Sequence, residues 1–96
     1  MYLLETCDAS DPADEREYFA QGQYAKAADA LAAAQALIDA HLMLALSAGQ
    51  TAAEAYEGWR RSGEIPRIVA RAGAAPVQFD PFALAQARAL VLQRRV

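Results

Sequence analysis

Scarcity narrows the options first. The chain is 96 residues long, 10.3 kDa, and contains one cysteine and one histidine. A single cysteine excludes an internal disulfide framework, and a single histidine excludes most zinc sites. Charged residues make up 22% and the formal net charge is only -3, so a disordered polyelectrolyte is excluded as well. No internal repeat, low-complexity linker or sustained heptad run is present. The start, Met1-Tyr2-Leu3-Leu4-Glu5, has no basic segment ahead of its apolar residues and so does not read as a secretory signal. The longest stretch free of formal charge lies within Ala40 to Ala53, short of the ~20 apolar residues a membrane span needs. A soluble chain in the reducing cytoplasm is the expectation.

What is abundant is alanine, about a quarter of the residues. It reconciles a 55% hydrophobic content with a mean hydropathy of +0.00, because each alanine offers little apolar area. A chain this short hides only about 60–65% of its unfolded surface on folding, so one small domain spanning 1–96 with a modest core is expected.

Local patterns outline the elements. Tyr2 to Cys7 reads as a strand ending at the turn-forming Asp8-Ala9-Ser10-Asp11-Pro12. Two readings compete for residues 12–20. Asp11 can cap a helix with Pro12 at its first position, running to Gly22, or Glu15 to Ala20 can return as a second strand. From Tyr24 to Ser47 there is neither Pro nor Gly. Tyr24, Ala27, Leu31, Ile38, Leu42, Ala45 and Leu46 share one face of a helix that Gly49 stops. Thr51-Ala52-Ala53-Glu54 is a capping box opening a short helix to Ser62, with Ala52, Ala55, Tyr56 and Trp59 inward and a Glu57–Arg61 pair outward. Tyr56 and Trp59 there read as core anchors. Alternation marks Pro66 to Arg71 as a strand, and Asp80-Pro81 caps a last helix to Arg94 whose main apolar face is Phe82, Ala85, Ala89 and Leu92. The expected fold is α+β and mostly helical, three main helices on a sheet of two or three strands.

Both long helices carry a second apolar stripe. Leu37 and Leu44 sit with His41 on the first, and Leu84 and Val91 lie nearly opposite the main face of the last. A helix greasy on two sides needs two partners. These residues are therefore the interface candidates of a homodimer, and this non-enzymatic interaction module is the preferred function.

Charge is split along the chain: ten acids and two bases in residues 1–58, two acids and seven bases in residues 59–96. Such a chain can neutralise itself by folding its halves together or by meeting a second copy. Arg60, Arg61, Arg67 and Arg71 are candidates for an anion- or nucleic-acid-binding surface; on one strand face Arg67 and Arg71 would stand ~13 Å apart. The opposing expectation pairs these arginines with Glu5, Glu17 or Asp14. With a sequence pI ≈ 5.0 and no recognised motif, nucleic acid is a poor partner. A further alternative is a small enzyme using His41 with Glu57 or Asp39. Cys7 lacks a CxxC partner, no G-x-S-x-G elbow is present, and the acids from Asp8 to Glu15 do not have calcium-loop spacing. No metal or other cofactor is expected, and no membrane partner. An unknown protein partner stays open beside a second copy.

Overall fold

A computed structural model describes the whole chain, Met1 to Val96. Strand β1 (Tyr2–Asp8) is central in a three-stranded antiparallel sheet, between β2 (Phe19–Tyr24) and β3 (Glu64–Ala70). Helix α1 (Ala27–Ser47), helix α2 (Ala52–Ser62) and helix α3 (Pro81–Gln93) complete a mostly helical α+β fold. Several boundaries move relative to the sequence reading. β3 begins at Glu64 and ends at Ala70, not at Pro66 and Arg71. The long helix begins at Ala27 because Tyr24 is claimed by the sheet, opposite Tyr2.

Residues 12–20 follow neither reading closely. Pro12 takes ψ 141, which is extended, so no α-helix starts there; Ala13–Glu15 form one 3-10 turn. The returning strand exists, but it starts at Phe19 and runs on to Tyr24. The connection is tied down locally. Asp8 Oδ1 accepts from Ser10 N at 2.8 Å, and the Arg16 guanidinium donates to the carbonyls of Ala9 and Asp11 at 3.2 and 3.1 Å. Between Gly22, opposite Leu4, and Ala20, opposite Glu5, the ladder skips Gln21 as a bulge. The displaced Gln21 amide donates to the hydroxyl of buried Thr6 at 3.0 Å. Pro66 is tolerated in β3 because that strand lies at the sheet's edge.

The helix ends obey local chemistry. The capping box of α2 is formed: Glu54 N donates to Thr51 Oγ1 at 3.2 Å, and Thr51 N donates to Glu54 Oε1 at 2.9 Å. Asp80 Oδ1 accepts from Phe82 N and Ala83 N at 3.0 and 3.2 Å, with Pro81 in the first turn of α3. Gly49, at φ 97, lets the chain leave α1.

Only 18 residues are buried, and seven of those are alanines, so one large side chain dominates the core. Trp59 is 0% exposed, its ring centroid lies 5.6 Å from that of Phe82 in an edge-on contact, and its indole N–H donates to Glu64 O at 3.2 Å. α1 departs from the expectation that no apolar stretch reaches spanning length. It has 21 residues and a mean hydropathy of 1.5 over its best 18-residue window, enough by length and composition to cross a membrane. Asp39 interrupts the charge-free run but is neutralised by Arg88 of α3, which leaves the helix more apolar than its formal charges imply. Its inner face, Ala30, Ala34, Ile38, Leu42 and Leu46, is buried within the chain.

Two glycines only five residues apart should respond oppositely to alanine. A Cβ on Gly63 would meet Trp59 Cδ1 at 2.6 Å and the Trp59 carbonyl at 2.8 Å, whereas one on Gly58 would meet nothing within 4 Å. Gly63→Ala should destabilise by roughly 1–3 kcal/mol through overpacking. Gly58→Ala, inside α2, should stabilise by about 0.5–1 kcal/mol. Urea unfolding of both variants checks the signs.

Candidate functional site

The two apolar stripes do not form one patch. At 100° per residue, Leu37 and Leu44 lie about 100–120° to one side of buried Ile38, and Asp39 about 100° to the other. Asp39 is gripped by α3: Arg88 Nε donates to Asp39 Oδ1 at 2.9 Å and Nη2 to Oδ2 at 2.8 Å. α3 therefore packs on the Asp39 flank, and the Leu37–His41–Leu44 stripe looks away from it. On α3 itself, Leu84 and Val91 fall on the same side as Arg88 and border the seam with α1. Leu84 is half-buried against the core and Val91 is 37% exposed. Leu37 and His41 are half-buried, and Leu44 stands 78% exposed.

The four candidate arginines are dispersed. Arg60 Nη2 holds Glu57 Oε2 at 2.8 Å, an i,i+3 pair in place of the Glu57–Arg61 pair expected at i,i+4. Arg61 instead donates to the Glu57 carbonyl at 3.4 Å. These contacts raise the Arg60 pKa and lower that of Glu57, in each case chiefly through their mutual hydrogen bond. Arg67 sits opposite Glu5 in the ladder and pairs with it at 2.8 Å. It also stacks over the Tyr18 ring, with Cζ 3.4 Å from the centroid. Arg71 follows β3 beside Met1, Leu3 and Gln23. From Glu64 at the α2 end of the strand, Arg71 is seven residues, or about 23 Å, away. No convergent cationic surface results.

His41 is not assembled into an acid–base pair. The two carboxylates considered for it are both held by arginines, Asp39 by Arg88 and Glu57 by Arg60. No group of three or more His, Cys, Asp or Glu side chains comes within metal-binding range. A shallow groove of about 230 Å³ between α2 and α3, lined by Ala52, Ala53, Tyr56, Glu57, Gln86 and Leu90, does not include His41. It is smaller than the roughly 300–1,000 Å³ of most small-molecule sites. Cys7 is 2% exposed, and its contact with Tyr18 is the main reason that the phenol's pKa is raised.

Some surface features were missed in the sequence. Phe19 is 60% exposed and Leu90 57%, although neither belongs to a candidate stripe, and Phe82 is 39% exposed despite its place on the main face of α3. Leu90 carried a signal, since helical spacing puts it about 120° from the main face of α3 and about 100° from Val91. The Asp39–Arg88 pair carried a weaker one: Arg88 is the one charge in α3, and Asp39 is the one charge of α1 beyond its first turn. No family model, curated protein or solved structure matches the chain.

The pairs make two measurable demands. Asp39→Asn should lower stability by about 1–2 kcal/mol, between the value of an exposed pair and the loss on breaking a fully buried one. Asp8, Glu54 and Glu57 all have lowered pKa values, caused first by the Ser10 hydroxyl, the Thr51 backbone N–H and the Arg60 guanidinium respectively. The unfolded chain then binds more protons than the folded one near and below the ordinary carboxylate pKa of about 4. Stability should be level above about pH 5 and fall as pH drops further. Urea midpoints measured across that range check the sign.

Proposed function

We propose that the chain is a non-enzymatic interaction module that forms a homodimer through apolar helix faces, acting in the cytoplasm without a cofactor. The observation that carries this reading is α1, whose composition would suit a membrane interior while only 28% of its most apolar window is buried by the rest of the chain. Leu44 alone exposes most of its side chain, and full burial of a leucine is worth roughly 1.5–3 kcal/mol. A surface of this kind is a cost in solubility unless something covers it. Val91 and half-buried Leu84 extend the apolar character to α3.

The competing readings have less support. An anion- or nucleic-acid-binding adaptor needs Arg60, Arg61, Arg67 and Arg71 together, and Arg60 and Arg67 are already matched by carboxylates. A small enzyme needs His41 beside a carboxylate, and both candidates point their charge at arginines.

Sedimentation velocity on the full chain tests the proposal. The expected species has twice the 10.3 kDa chain mass at micromolar concentration and persists when salt is raised, because apolar contacts are not screened. A single monomeric species at tens of micromolar would overturn it.

A further inference from the structure

α1 is largely apolar around its circumference, with Asp29 the one exposed carboxylate, and it is covered on only part of that circumference. Outside its buried face, Ala32, Ala36, Ala40 and Leu44 follow at four-residue spacing, and all four are exposed. Half-buried Leu37 and His41 border this ridge on the flank turned away from α3. α3 touches β3, so the free flank of α1 lies toward the opposite edge of the sheet, which is β2. Every residue of β2 is uncharged, and Phe19 stands 60% exposed on that edge.

We infer that the α1–β2 side docks a second copy of this chain about a two-fold axis, α1 against α1, and that the Val91 and Leu90 surfaces of α3 stay outside the contact. The inference rests on the homodimer reading above and says where that dimer forms. Three observations select a second copy as the occupant. First, charge: β2 has none, the only charges on α1 are Asp29 and Asp39, and Lys26 lies in the short link between the two elements. Asp39 faces Arg88, and Asp29 lies in the first turn, so antiparallel helices crossing near Ala40 keep the two Asp29 residues more than about 20 Å apart. With Lys26 and Asp29 both at the N-terminal end of α1, far from the crossing point, the surface meets its own image without opposed like charges. Second, shape: a ridge at four-residue spacing interdigitates with an identical ridge at roughly −50°, and alanines let the axes approach the low end of the ~8–10 Å range. Third, area: α1 is about 31 Å long, and helix plus sheet edge are about 20 Å deep. With the two faces crossed at about 50°, the overlap is ~500 Å² per copy, or ~1,000 Å² in all, at the ~1,000 Å² a specific interface should clear.

Sedimentation equilibrium of the full-length chain and four variants tests the assignment, with far-ultraviolet circular dichroism as the folding control. Leu44→Asp should raise the dimer dissociation constant at least about 30-fold, the size of effect expected at the centre of an interface. Ala40→Glu, which removes no packed atom, should act in the same direction and serves alone if Leu44→Asp fails to fold. Val91→Asp and Leu90→Asp should stay within about threefold of the unaltered chain. If Leu44→Asp and Ala40→Glu dimerise like the unaltered chain, or if Val91→Asp or Leu90→Asp dissociates the dimer, the α1–β2 assignment is overturned while the homodimer reading stands. An unaltered chain that is monomeric sinks both.

Discussion

The enclosure of Trp59 is the constraint on which the rest of the fold depends. In a core made largely of alanine, the indole is the one body large enough to be touched from several elements at once. Its N–H reaches the Glu64 carbonyl, which starts β3, and its ring meets the edge of Phe82 from α3 and lies 6.2 Å from Tyr56 one helical turn away. The step from α2 to β3 passes directly over it at Gly63, where there is no space for a Cβ. Trp59 therefore fixes where α2 ends, where β3 begins and how α3 lies across both.

Alanine has a second effect, on the helices. Small side chains at Ala34, Ala85 and Ala89 are fully or almost fully enclosed, so neighbouring elements approach closely there without large residues. The same small residues on the outside of α1 leave a smooth apolar surface with few groups to solvate it. The Asp39–Arg88 pair orients the system. By drawing α3 to one flank of α1, it leaves the other flank bare, and the two apolar stripes end on different sides of the molecule.

The parts of the fold legible in the sequence are those set by neighbours in the chain. The Thr51–Glu54 box, the Asp80-Pro81 start and the stops at Gly49 and Gly63 each rest on contacts within a few residues, and all four occur where their residue types place them. β2 was less legible because nothing in Phe-Ala-Gln-Gly-Gln-Tyr favours a strand strongly; it becomes one by pairing with β1 across a turn tied by Asp8 and Arg16. Among the candidate residues, the helical spacing of Leu37, His41 and Leu44 placed them on one flank. Which element would cover that flank depends on Asp39 meeting Arg88, 49 positions away, and no local pattern encodes such a meeting. Arg67 illustrates the same limit: its pairing with Glu5 follows from register, and its stack on Tyr18 from a connection the sequence left ambiguous.

Cys7 lies 2% exposed in the central strand, its thiol beside the Tyr18 phenol, whose ring is in turn roofed by the Arg67 guanidinium. A sulfhydryl buried at the edge of the core beside two stacked side chains is a built-in clock for local breathing. An alkylating reagent can reach it only while the packing around Cys7 opens locally. The speed of labelling under native conditions therefore counts openings of this corner of the sheet, separately from melting of the molecule as a whole.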